Sequence, residues 1–129
     1  MNLQQYLVLE ALASDIPPRE IAEILNLETH DVEAVVKSLE ERGLVRKSPG
    51  LFGERYKLTE QGEKALEEWR AKIRSELAKA EELFKRGREI EAQEIVEKRL
   101  PILPILLGLG VISLALWKLL TSRLPVAEE

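Results

Sequence analysis

The stretch that decides the fold is Ile21–Val45, "IAEILNLETHDVEAVVKSLEERGLV". It divides at Asn26 and again at Gly43, the two residues in it best able to take a left-handed backbone and stop a helix. Before Asn26, Ile21, Ile24 and Leu25 face inward on a short helix whose first turn begins at Pro18, where a missing N–H costs nothing. After it, Val32, Val35, Val36 and Leu39 recur at helical spacing, with Thr29 as the expected N-cap. Two helices joined by a tight turn, the second ending at a glycine before an extended run, form a compact helix-turn-helix.

Working outward, "LQQYLVLEALAS" (3–14) carries Leu3, Tyr6, Leu7, Leu9 and Leu12 on a wide apolar face, and "SDIPP" ends it. Downstream, "LVRKS" and "ERYKLT" are short β-type runs separated by "PGLFG", which predicts a hairpin with a longer loop. "TEQGEKALEEW" then opens another helix, with Thr59 as cap and Glu60 near the positive end of its dipole.

Helix, helix, turn, helix, hairpin, helix is the layout of a winged helix-turn-helix. The Ile21–Val45 stretch, "LEERGLV" at Leu39–Val45 and "YKLTEQG" at Tyr56–Gly62 resemble the MarR and PadR-like transcriptional regulators, a group strongly represented in archaea. The resemblance covers roughly residues 1–70. It implies a dimer that sets its third helix in the major groove of double-stranded DNA and grips phosphates with its wing. On this sequence the groove-facing residues are then Thr29, His30, Lys37 and Ser38, and the wing cations are Arg46, Lys47, Arg55 and Lys57.

The charge pattern bears on this in two ways. The net charge of −4 is unevenly spread: residues 1–42 hold three bases against nine acids, whereas 43–58 hold four bases against one acid. That single basic island is the hairpin. A hairpin edge also carries Lys and Arg simply to discourage edge-to-edge pairing. The third helix departs from the family pattern, because Glu28, Asp31 and Glu33 lie at the start of its exposed face and carboxylates repel phosphates. That departure, with Leu51 and Phe52 at the wing tip as an apolar contact surface, keeps a second function open. In it the winged helix is an assembly module docking on a protein or ribonucleoprotein. His30, the lone histidine, is either a base contact or a solvated first-turn residue.

From residue 69 to 99 the chain is heavily charged, with Trp69, Ile73, Leu77, Ala80 and Phe84 on one stripe close to a heptad seam. The stripe is expected to serve a dimer or partner. Beyond Gly87, Ile90, Ile95 and Val96 supply the apolar positions of a further helical segment. This part is either one long helix containing a glycine or a tetratricopeptide-like hairpin turning at Gly87.

"LPILPILLGLGVISLALWKLL" (100–120) is uncharged from Leu100 to Trp117, in a chain that is 33% Asp, Glu, Lys and Arg. A helix from Pro104 to Thr121 would measure roughly 27 Å, close to the ~30 Å hydrocarbon core of a bilayer. Ile105, Leu106, Leu109, Ile112, Leu116 and Trp117 would line it. The run is expected to be one helix that either anchors the protein in a membrane or fills an oligomer core.

The expected fold is thus mainly α with a small β-hairpin wing. Residues 1–68 form the winged helix and 69–99 a charged helix or hairpin. Residues 100–122 form an apolar helix and 123–129 a polar tail. No phosphate loop, zinc spacing, cysteine or nucleophile–base pair is present, so neither an enzyme nor a cofactor or metal is expected. The Glu pairs belong to solvated helix faces. With no early basic-plus-apolar segment, the winged helix is expected to be cytoplasmic. Glu, Lys and Arg in place of Cys suits a heat-adapted source.

Overall fold

The computed structural model describes residues 1–50 and 53–122. Two compact units divide the chain at Trp69/Arg70.

The first unit begins with α1 (Leu3–Ala13), closed by a reciprocal capping box. The Gln5 amide donates to Asn2 Oδ1 at 2.8 Å, and the Asn2 amide donates to Gln5 Oε1 at 3.0 Å. This arrangement satisfies two of the orphan N–H groups of a first helical turn. Every residue from Tyr6 to Leu12 is buried, Glu10 included, so α1 is a central helix rather than a one-faced one. The Tyr6 hydroxyl donates to Glu10 Oε2 at 2.6 Å, and the Tyr6 ring stacks on Trp69 with centroids 5.5 Å apart.

Helix α2 (Pro18–Leu25) starts with proline in its first turn and ends at Asn26, which is left-handed with φ 56°. Ile21 is fully buried, but Ile24, expected inward, is 41% exposed. Its position falls just outside the narrow stripe that so short a helix turns to α3. Helix α3 (Thr29–Glu41) buries Val32, Val36 and Leu39. Its cap is the extended Glu28, which makes no side-chain capping bond. Thr29, expected to be the cap, is already helical. Gly43 closes α3 at φ +73°, and the Leu44 amide returns to the Leu39 carbonyl at 3.0 Å.

Strands β1 (Val45–Gly50) and β2 (Gly53–Leu58) pair antiparallel from Val45↔Leu58 to Gly50↔Gly53. The ladder therefore runs further than the expected "PGLFG" loop allowed. Leu51 and Phe52, the expected wing-tip contacts, lie outside the described residues.

Helix α4 (Glu60–Lys85) is tied to the end of the wing by one threonine. The Thr59 amide donates to Leu44 O at 3.0 Å, and its hydroxyl donates to Gly43 O at 2.6 Å. The same hydroxyl accepts from the Gly62 amide at 3.0 Å as the cap of α4. A Cβ on Gly62 would lie 1.9 Å from Leu44 O, so no other residue fits there without moving backbone. The "Thr-x-x-Gly" of the sequence is thus a clasp between wing and helix.

The second unit contains the rest of α4, then α5 (Glu89–Arg99), a 3-10 turn (Leu100–Ile102), α6 (Leu103–Gly108) and α7 (Leu114–Ser122). Of the two arrangements open for residues 69–99, the chain adopts two helices. Gly87 is left-handed at φ +77°, and the Arg88 amide returns to Leu83 O at 2.9 Å, closing α4. Ile73, Leu77, Ala80 and Phe84 are buried within the chain, and Trp69 is half-buried against Tyr6. The stripe is occupied by the protein's own core instead of being presented to a partner. Ile90, expected to be apolar lining, is 76% exposed, whereas Ala92 and Val96 are buried.

The apolar run corrects the expectation of a single long helix. It breaks at Gly110 (φ +78°), where the Val111 amide returns to Leu106 O at 2.9 Å. Ser113 then restarts the helix, its hydroxyl accepting from the Leu116 amide at 3.1 Å. The resulting helices of six and nine residues are about 9 and 14 Å long. No helix among the described residues is long and apolar enough to cross a membrane. Ile102, Leu103, Leu106, Val111, Ile112 and Leu120 are buried, while Ile105, Leu109, Leu116 and Trp117 are half-buried. The greasy run is largely the core of the second unit. Two arginines hold it to α4. Arg74 Nε donates to the Val111 carbonyl at 2.8 Å, and Arg99, at the start of the run, donates through Nε and Nη2 to Glu76 Oε2 at 3.1 and 3.0 Å.

Candidate nucleic-acid interface

The pleat sorts the wing's cations onto two faces, since side chains alternate along a strand. Arg46 stands opposite Lys57, and Ser48 opposite Arg55, so Arg46, Arg55 and Lys57 share one face. Lys47 stands opposite Tyr56 on the other. All four cations are exposed. Like charges directly opposite on a hairpin are destabilising, so Arg46 beside Lys57 is not there for the hairpin's own stability. Only Arg55 of the three has an ion-pair partner among the described residues, Asp15 at a loose and exposed 3.7 Å. Exposed pairs of that kind contribute ~0–1 kcal/mol.

The Lys47/Tyr56 face closes one side of a cleft of about 630 Å³. The other walls are Pro17, Pro18 and Arg19 at the start of α2, and Thr29, Glu33, Lys37 and Glu40 along α3. The four α3 residues follow at helical spacing and make a single stripe facing the wing. Arg19, Lys37 and Lys47 outnumber Glu33 and Glu40, so the cleft is modestly basic within a strongly acidic stretch of chain.

The expected groove-facing residues do not all reach the same place. Thr29 and Lys37 are exposed on the cleft stripe. His30 is exposed beside it, its ring 3.2 Å from Glu28 Oε2 through Nδ1 and 3.4 Å from Asp31 Oδ1 through Nε2. These three residues bring donor atoms within 4.8 Å of one another, all in solvent. Ser38 points the other way. Its hydroxyl donates to Val35 O at 2.7 Å and accepts from Gln5 Nε2 at 3.1 Å, so it joins α3 to α1 and is not offered to a base. Arg19 and Tyr56 line the cleft although neither was singled out in the sequence. Tyr56 could have been found from strand alternation, because it sits across from Lys47. Arg19 carried no signal beyond its charge.

Residues 1–50 match the family model of the MarR family. The MarR-family match spans α1, α2, α3 and β1. The pairing strand β2 and the Thr59 clasp complete the same unit, which is mostly helical with a two-stranded antiparallel hairpin, as in a winged helix. No curated protein and no solved structure matches the chain.

Proposed function

We propose that the chain is a winged-helix transcriptional regulator whose N-terminal unit binds double-stranded DNA. The observation that carries this reading is the MarR-family match over residues 1–50, joined to a hairpin that presents Arg46, Arg55 and Lys57 on one face. Cations held side by side against their own repulsion favour a polyanion, and phosphate contact supplies most of the affinity of such an interface. Arg19, Lys37 and Lys47 around the cleft add positive charge next to the α3 face that would enter the major groove. A homodimer on a two-fold site is part of the proposal, because one short helix and one wing bury little surface on DNA. The pairing surface would have to lie away from Ile73, Leu77 and Phe84, which are buried.

The test is gel shift of the full chain on duplex DNA across a salt series. Shifts that weaken steadily with salt support the reading, and no shift at low salt removes it. The carboxylates of Glu28, Asp31 and Glu33 on the exposed face of α3 favour one competing reading, a protein-docking module. Recovery of one stoichiometric protein partner, unaffected by nuclease, would establish that instead.

A further inference from the structure

Glu33 is the oddest residue on the cleft stripe. It is exposed, it sits one turn after Thr29 and one turn before Lys37, and it faces the wing. Among the described residues it makes no hydrogen bond and no ion pair, although Lys37 at i+4 is well placed for one. Its neighbours Glu28 and Asp31 are both turned to His30. Glu33 is therefore the one carboxylate in the first half of α3 left open toward the cleft. A bare carboxylate weakens attraction to DNA everywhere except where a base offers it a proton. In the major groove the amino groups of cytosine N4 and adenine N6 can do so, and carboxylates pair with cytosine N4. Arg19, Lys37 and Lys47 line the same cleft and offset the repulsion from flanking phosphates.

We infer that Glu33 is a specificity-determining residue that reads cytosine, accepting a hydrogen bond from its N4 amino group in the major groove. This rests on the DNA-binding reading above. Thr29 and Lys37, one turn to either side, flank the contact. The inferred role has a signature that a structural role lacks. Removing the carboxylate raises affinity for arbitrary duplex DNA while lowering discrimination at one base pair. Glu33→Gln goes further and changes the preferred base, because a glutamine amide pairs with adenine N6 and N7.

The experiment is selection of binding sites from a random duplex library with the full chain, run in parallel for wild type, Glu33→Ala and Glu33→Gln. Glu33 is exposed and unpaired, so both variants should melt like the wild type. The expected wild-type pool carries a C·G pair at a fixed position, preferred on the order of tenfold or more over the other pairs. Glu33→Ala should lose that preference and bind unselected DNA more tightly. Glu33→Gln should enrich A·T at the same position. A selected site synthesised with N4-methylcytosine, which lacks the amino hydrogen that points into the groove, should weaken wild type and leave Glu33→Ala unchanged. The inference is overturned if the enriched motif is the same in all three proteins, and DNA binding itself would stand. If nothing is enriched and no protein shows salt-dependent binding, the DNA-binding reading falls and takes this one with it.

Discussion

Replacing Gly62 with alanine tests the clasp between wing and helix, and the expected sign is unusual. Alanine in place of a helical glycine ordinarily stabilises by up to about 1 kcal/mol. At Gly62 the new Cβ would meet Leu44 O at 1.9 Å and the Leu44 carbonyl carbon at 2.9 Å. A carbon normally approaches a carbonyl oxygen no closer than about 3.3 Å, so about 1.4 Å must be recovered. Neither partner is a side chain that could rotate away, so the first turn of α4 has to lift off the end of α3. The lift opens the Thr59 bonds to Gly43 O and Leu44 O and the Gly62 amide bond to Thr59 Oγ1. Overpacking costs about 1–3 kcal/mol, and each hydrogen bond opened about 1 kcal/mol. With three bonds opened and the helical gain subtracted, the net loss should be about 3–5 kcal/mol. Urea unfolding of the full chain measures it, in a Trp117→Phe background so that Trp69, stacked on Tyr6, reports on the first unit alone. Gly108→Ala, read through Trp117 in a Trp69→Phe background so that the second unit is followed, is the matched control. It lies in α6 with nothing within 4 Å of the added Cβ, and it should stabilise by about 0.4–1 kcal/mol. A Gly62→Ala variant as stable as wild type, or more so, would refute the close approach.

Further outcomes follow from other residues. Leu106→Ala should destabilise the second unit by about 2–5 kcal/mol in detergent-free buffer, measured by thermal melting, because Leu106 is fully buried; a residue on a lipid-facing span would show no such loss. Gly110→Ala should cost about 1–2 kcal/mol in the same melt, since φ +78° is expensive for any residue with a Cβ. Arg99→Ala, which removes both hydrogen bonds to Glu76 Oε2 and leaves that half-buried carboxylate only a loose Lys98 pair at 3.8 Å, should cost about 1–2 kcal/mol in a urea titration. Ser38→Ala should leave DNA affinity unchanged within twofold in an anisotropy titration, because its hydroxyl is engaged with Gln5 and Val35.

The first unit was legible because its punctuation is chemical. Pro18, Asn26, Gly43, Thr59 and Gly62 each act through a property no neighbour shares: a fixed φ, a left-handed backbone, a capping hydroxyl, a missing Cβ. The capping box of Asn2 and Gln5 was not anticipated, although "N-x-x-Q" ahead of an apolar run carries its signature. The wing's two faces followed from register alone once Val45 and Leu58 were opposed. The apolar run was harder. Hydropathy measures how greasy a segment is and does not say whether it continues, and "LGLGVIS" hides its stop and restart inside an uncharged stretch. Gly110 turns left-handed and Ser113 caps, and between them they change a bilayer-length segment into two short packed helices. Periodicity also failed where an apolar stripe had two possible customers. Ile73, Leu77 and Phe84 look the same whether they meet a second copy or their own chain, and only tertiary packing separates the cases. Ser38 shows the same limit: a polar residue on the outer half of a helix can be drawn inward by a partner such as Gln5.

The central claim is that the wing binds the phosphates of duplex DNA through the face carrying Arg46, Arg55 and Lys57. The most direct measurement is the dependence of the association constant on salt for wild type and for Arg46→Ala/Lys57→Ala, on one duplex. The wild type should give a straight line of negative slope in log K against log salt. The double variant should bind more weakly at every salt concentration, with a slope shallower by about 1.8, which is two phosphate contacts at ~0.9 each. Equal slopes for the two proteins, or binding that does not respond to salt, would contradict it.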